Sequence, residues 1–299
     1  MAADQQWTPA RLGDRSGQRV IVTGATNGIG LATAHALARA GAHVILAVRN
    51  VDLGERRAAE MGGSTEVSHV DLSDLASVRA FADRLTEDVD VLVNNAGLVA
   101  QKRETTTDGF EMSIGTNFLG PFALTNLVAP RVRSQIVNVG SDAHKFATLD
   151  LDDLHLTRSR WNPMGAYGRS KLAVMLWGLE LDRRLRESGS TVTTALTHPG
   201  WVASNLSNVS DAPLMSMFHT VTQTIAKTLA NDTDAGAAPT LYCMTEPIPP
   251  GSYVGIDSRL GLKGGPTLAG RTAQASDYAL AQRLWQRAET ETGTSWPRM

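Results

Sequence analysis

Thr23-Gly24-Ala25-Thr26-Asn27-Gly28-Ile29-Gly30 is the stretch that decides the fold. It follows a short β-branched run, 19–23, and opens an alanine-rich segment, 29–40, that stops at Gly41, a suitable residue just past a helix. Strand, glycine turn, helix is the expected order. Gly24 permits a tight turn, Gly28 lets backbone approach a ligand, and Gly30 permits close helix–strand packing. The helix N-terminus then offers free N–H groups and a positive dipole end to a pyrophosphate. The spacing is Gly-x-x-x-Gly-x-Gly rather than Gly-x-Gly-x-x-Gly, so the placement between strand and helix carries the argument.

The same alternation runs outward from this turn. Residues 43–48 (HVILAV) are nearly all apolar, as a parallel strand buried on both faces must be. Further strands are expected at 65–70, 90–93, 135–139, 191–197 and 252–256, and helices at 73–86, 107–129, 164–187 and 275–289. Strands alternating with helices of this length mean βαβ units. The expected fold is α/β: a Rossmann-type doubly wound parallel sheet with helices on both faces, one domain over 18–299 after a leader at 1–17. Trp7 interrupts the polar leader and is expected to pin it to the body. Residues 201–250, rich in Ser, Asn and Thr, read either as a substrate-binding lid or as a surface excursion with one helix packed on the core.

Composition narrows the function. With 299 residues, 42% hydrophobic and 19% charged, the chain can bury a sizeable core. A formal charge of -2 offers no basic footprint for nucleic acid and no polybasic membrane patch. The leader lacks an apolar signal region, and no run approaches the roughly 20 apolar residues of a membrane span. A cytoplasmic protein is therefore expected. Cys243 is the single cysteine, which excludes an intrachain disulfide and reads as a small buried hydrophobe.

The end of the second strand selects the dinucleotide. An acid there would accept from a ribose 2′-OH, whereas an arginine accommodates a 2′-phosphate. The chain reads Ala47-Val48-Arg49-Asn50, with one arginine and no acid. Arg49 can clamp a phosphate through charge-assisted contacts, so NADP(H) is expected over NAD(H). Asp71, directly after the third strand, is placed to accept from the adenine amino group or to cap the helix beginning near Ser73.

Tyr167 and Lys171 lie one turn apart on a single helix face. A nearby ammonium favours the phenolate, and so is expected to lower the phenol pKa from about 10 and suit it to general acid–base work.

Taken together, TGATNGIG at 23–30, Asp71-Leu72, Asn94-Asn95-Ala96-Gly97, Asn117, Ser141, Tyr167-x-x-x-Lys171 and Pro199-Gly200 resemble the short-chain dehydrogenase/reductase family, in the family's order over roughly 18–260. AVRN at 47–50, DLDDL at 150–154, AYGRSKLAVM at 166–175 and His198-Pro199-Gly200 look like its retinol-dehydrogenase-like branch. The resemblance implies hydride exchange between a nicotinamide and an alcohol/carbonyl pair. It implies Tyr167 as general acid/base, Lys171 on the nicotinamide ribose, Ser141 on the substrate oxygen, and Asn117 holding a water that links Lys171 to solvent. It further implies that Asn94, Ala96 and Gly97 lie along the cofactor and that Val202 meets the carboxamide. Ser204 stands where threonine is common, and Gly140 where many members have a first serine.

Other readings are weaker. His144, His155 and His198 lack partners at ligand spacing and read as structural, with no metal site. A Ser141/His144/Asp142 hydrolase lacks the Gly-x-Ser-x-Gly elbow. A catalytically silent NADP(H)-binding sensor of the same fold is the alternative from another class, although all four catalytic side chains are present. Leu214 to Phe218, Trp201 and Trp161 suggest an apolar pocket for a lipophilic ketone, aldehyde or alcohol. Family members commonly associate through the long helices, so a homo-oligomer is also expected.

Overall fold

The computed structural model describes residues 7–200, 233–257 and 264–297. Among these, strands β1 (Arg19–Thr23), β2 (His43–Val48), β3 (Thr65–His69), β4 (Val89–Asn94), β5 (Val132–Val139), β6 (Thr193–Thr197), β7 (Tyr253–Ile256) and β8 (Pro266–Leu268) form one sheet of order β3-β2-β1-β4-β5-β6-β7-β8. Every neighbouring pair from β3 to β7 is parallel, and β8 closes the edge antiparallel to β7. The order reverses between β1 and β4, which opens a crevice at their carboxyl ends. Both expected partners of that crevice, the glycine turn after β1 and the Asn95-Ala96-Gly97 turn after β4, lie there.

Burial explains the strand compositions. Central β1 and β2 are buried along all but their first residues, whereas edge strand β3 (TEVSH) is half exposed and tolerates Glu66 and Ser68. The helices are α1 (Gly28–Arg39), α2 (Val51–Met61), α3 (Leu75–Arg84), α4 (Met112–Ile114), α5 (Gly120–Val128), α6 (Pro163–Glu187), α7 (Thr233–Thr245) and α8 (Tyr278–Thr292). They build two apolar clusters, one on each face of the sheet. One holds Trp7, Leu37 and Leu241; the other holds Phe118, Phe122, Trp177 and Trp285.

Two departures from the sequence expectation have physical reasons. Helix α2 was not expected from its charged, glycine-containing sequence. Its start is set by Asn50, whose Oδ1 accepts from Leu53 N at 2.9 Å, and Gly54 lets it sit on Val48 and Val67. The expected helix at 107–129 is interrupted by a π turn, Gly115–Leu119, between α4 and α5. Pro121 has no N–H to give the carbonyl of Asn117, so α geometry cannot run through this point. Of residues 201–250, 201–232 lie outside the described residues, while α7 packs on α1 and the sheet as part of the core.

Trp7 does hold the leader down: its Nε1 donates to Thr245 Oγ1 at 3.1 Å and its ring meets Tyr242 edge-on at 6.1 Å. Among the described residues, no helix is long and apolar enough to cross a membrane. The long helix α6 has its outer side covered by α8 of the same chain. There Trp285 meets Phe122 edge-on at 4.9 Å and lies under the Arg184 guanidinium at 4.3 Å. Trp285→Ala is expected to lower unfolding free energy by about 3–5 kcal/mol in urea titration; a loss under about 1 kcal/mol would show that α8 does not carry this face.

Candidate active site

The crevice is closed at its base by a lock between two turns. Thr23, fully buried at the end of β1, accepts at Oγ1 from the backbone N–H groups of Asn95 and Ala96, both at 3.0 Å. Asn95 Nδ2 donates back to Thr23 O at 2.8 Å. These bonds place the turn after β4 directly against the glycine turn. A Cβ on Gly24, whose φ is +69°, would meet Ala96 Cα and Cβ at 3.0 Å. A Cβ on Gly30 would meet Gly24 O at 2.5 Å and press still closer on the Asn95 amide. Asn27 stands at the N-terminus of α1 without a side-chain capping bond, leaving first-turn N–H groups open to the crevice.

A cleft of about 640 Å³ runs along this edge. Gly24, Thr26, Asn27, Gly28, Ile29 and Gly30 line its floor. Arg49, Asp71 and Leu72 line one end, and Ala96, Gly97, Tyr167, Lys171 and Pro199 line the other. Arg49 is exposed at the β2 end. Asp71 Oδ1 accepts from Ser73 N and Oγ at 2.9 and 2.6 Å, while Asp74 caps α3, so Asp71 is not the helix cap. Asn94 is not in the lining: its buried Nδ2 donates to Thr125 Oγ1 and Asn138 Oδ1, both at 2.9 Å. Gly200 lies just beyond the lining with φ +70° and its N–H on His198 Nδ1. Val202 and Ser204 fall outside the described residues. Sequence reading missed Leu53, Val99 and Thr116, which add apolar and hydroxyl surface to the cleft. It also missed Asn95 as the pin of the lock, a role visible only once β1 and β4 are neighbours.

Of the four expected catalytic side chains, Tyr167 and Lys171 line the far end of the cleft, and Ser141 and Asn117 stand beside them outside its lining. Ser141 lies near enough to the Tyr167 hydroxyl to favour its phenolate, and Lys171 Nζ lies 5.8 Å from the Tyr167 ring centre. Lys171 Nζ donates to Val139 O at 2.8 Å. The Asn117 amide donates to Leu98 O and Ser170 Oγ, both at 2.9 Å, and accepts from Leu98 N at 2.8 Å. Ser170 Oγ donates in turn to Tyr167 O at 2.8 Å. Asn117 thus ties the loop after β4 to the helix carrying Tyr167, and its side chain is occupied by protein. His144 Nδ1 donates to the Ser141 carbonyl at 2.7 Å, so His144 and Ser141 do not form the nucleophile–base pair of a hydrolase. Among the described residues, no group of three or more His, Cys, Asp or Glu is arranged to hold a metal ion.

The comparisons with known proteins agree with this geometry. The family profile for short chain dehydrogenase matches residues 18–213. This chain belongs to the short-chain dehydrogenase family. Human retinol dehydrogenase 13 is 36% identical over 294 residues, covering 94% of this chain and 86% of the relative. The crystal structure of an uncharacterized protein from Mycobacterium paratuberculosis is 41% identical, with TM-score 0.85, covering 98% of this chain and 99% of that one. A short chain dehydrogenase from Burkholderia cenocepacia J2315 in complex with NADP is 25% identical, with TM-score 0.59, covering 77% and 91%. The activity is that of an alcohol/carbonyl oxidoreductase with a nicotinamide cofactor.

In this short-chain dehydrogenase, burial sets the protonation states. Burial pushes the Tyr167 phenol up, with Ser141 opposing it. Burial, and not the lowering expected from Lys171, sets the direction of the shift; the ammonium lies over the ring and is bonded to Val139 O. Burial also pushes Lys171 down to about 8. The residues fit a dinucleotide: an uncapped helix start, glycines with no room for a Cβ, and a buried lysine with a single protein acceptor.

Gly30→Ala should cost about 1–3 kcal/mol of stability by urea unfolding, since neither the Gly24 carbonyl nor the Asn95 amide can move without opening the lock; a change under about 0.5 kcal/mol would contradict this. Lys171 has its folded pKa below its unfolded value, so its burial cost is present below about pH 8 and fades as pH rises toward the unfolded value. Raising the pH from 7 to about 10 should therefore shift the stability difference between wild type and Lys171→Met in favour of wild type. A pH-independent difference would contradict a desolvated ammonium at this position.

Proposed function

We propose that this protein is an NADP(H)-dependent carbonyl reductase acting on a lipophilic ketone or aldehyde. The observation that carries the reading is the convergence of Tyr167, Ser141 and Lys171 at the end of a cleft whose other end presents Arg49 and no carboxylate at the close of β2. A bound nicotinamide dinucleotide would supply the hydride. Ser141 holds the carbonyl oxygen of the substrate, and Tyr167 donates its proton to that oxygen as charge develops. Burial keeps the Tyr167 phenol protonated at neutral pH, as a proton donor must be. Lys171 is available to the ribose hydroxyls and, as an ammonium at neutral pH, stabilises the phenolate left by proton donation.

The backbone carbonyl of Asn117, which Pro121 cannot pair in α geometry, is the acceptor proposed for a relay water, because the Asn117 side chain is already bonded. Trp161 does not line the cleft; its Nε1 donates to the buried Glu111 at 3.1 Å. Trp201 and the run Leu214 to Phe218 lie outside the described residues. Likeness to retinol dehydrogenase 13 supports a lipophilic substrate, and the Burkholderia NADP complex supports the dinucleotide.

Tyr167→Phe removes only the proton donor. It is expected to lower kcat for carbonyl reduction by at least about a hundredfold, with NADPH affinity retained; full turnover in this variant would overturn the mechanism. Arg49→Ala should raise KM for NADPH by about tenfold or more and leave KM for NADH nearly unchanged. Equal effects on both cofactors would overturn the assignment of Arg49 to the 2′-phosphate.

A further inference from the structure

Directly behind the catalytic serine lies a polar cluster that the reaction itself does not use. Asp142 follows Ser141 and begins the short helical turn Asp142–Phe146. Its Oδ1 accepts from the Tyr253 hydroxyl at 3.2 Å and from Lys145 Nζ at 2.8 Å, and His198 Nε2 lies 3.7 Å away. These partners come from different strand ends: Tyr253 opens β7, and His198 follows β6. One carboxylate thus connects the carboxyl edges of β5 and β6 and the start of β7, at the place where Ser141 must be held and where Pro199 lines the cleft.

The two histidines of the cluster have opposite proton placements, and both follow from their partners. His198 Nδ1 accepts from Gly200 N at 3.2 Å, so its proton is on Nε2, toward Asp142. His144 donates from Nδ1 to the Ser141 carbonyl, so its Nε2 is a bare acceptor, buried without a partner among the described residues. The Tyr253 ring lies between them, 5.6 Å from His144 and 5.1 Å from His198. A Cβ on Gly140 would crowd Thr197 O and Met175 Sδ at 3.2 Å and make ordinary contact with the Tyr253 ring at 3.8 Å. The glycine before Ser141 therefore has a steric reason.

We propose that Asp142 is a positioning residue for carbonyl reduction, clamping the Ser141 turn to β7 through Tyr253 and to the His198-Pro199-Gly200 turn. The proposal rests on the carbonyl-reductase reading above. The cluster's charge state supports it. Burial opposes the charge on Asp142, yet the Lys145 ammonium and the Tyr253 hydroxyl hold its carboxyl below the usual range. Burial and the neighbouring carboxylate push the Tyr253 hydroxyl up, so it stays a donor. Burial also pushes His198 down, which leaves it neutral and keeps its Nδ1 free to accept from Gly200. Lys145 offsets the carboxylate charge that would otherwise oppose negative charge developing beside Ser141.

The test uses Asp142→Asn and Tyr253→Phe in the full chain, because Tyr253→Phe keeps the buried ring and removes only the hydroxyl. Each variant should lose about tenfold in kcat, as expected when a reacting group is misplaced by a fraction of an ångström, with NADPH affinity changed by less than about twofold. The double variant should be no worse than the single ones, since both break the same clamp. Hydrogen exchange read by NMR should accelerate by about tenfold at the amides of Ala143, His144 and Gly200 and remain unchanged in β1 and β2. Unaltered kcat, a loss confined to NADPH affinity, additive losses, or unaltered exchange at these three amides would overturn the proposal. If wild type reduces no carbonyl, the functional reading fails, and the exchange data alone decide whether Asp142 holds the Ser141 turn.

Discussion

Everything at the carboxyl edge of the sheet depends on Thr23. Its hydroxyl accepts two backbone N–H groups from the turn after β4, and its carbonyl takes the Asn95 amide. This fixes the two turns of the crevice against each other before any ligand arrives. It also dictates residues elsewhere: Gly24 must clear Ala96, and Gly30 must clear Asn95 and Gly24. An open helix start is thereby held at the base of a cleft, where its unpaired N–H groups can meet phosphate.

From that base the chain builds its chemistry by burial rather than by pairing charges. Tyr167 and Lys171 share a helix face, but their relation is not the close phenol–ammonium contact that spacing alone suggests. The ammonium is bonded to a strand carbonyl, and desolvation disfavours the charged forms of both groups. The site is a protonated phenol beside a lysine whose pKa burial brings down to about 8.

Much of this was legible in the sequence because it is local. The apolar run HVILAV, the glycine turn and the Tyr–Lys spacing each encode their own conformation, and β1 and β2 fall at the expected residues. What was not legible depends on distant partners or on a missing atom. Helix α2 hides its apolar face among charged residues, although Asn50 marked its start. The π turn follows from a donor that Pro121 lacks. Asn94, next to Asn95 in sequence, turns into the core to bind Thr125 and Asn138, because alternate strand residues face opposite ways. The Asp142 cluster joins three elements and carries no short motif.

The central claim is that this fold passes a hydride to a carbonyl carbon while Tyr167 protonates the oxygen. The most direct measurement follows the label from deuterated NADPH, carrying deuterium at the nicotinamide C4, into the products of a panel of lipophilic ketones and aldehydes. The account predicts an alcohol with deuterium on the former carbonyl carbon from wild type, and almost none from Tyr167→Phe. Oxidation of the cofactor with no deuterium in any product alcohol, or equal labelling by both proteins, would contradict it.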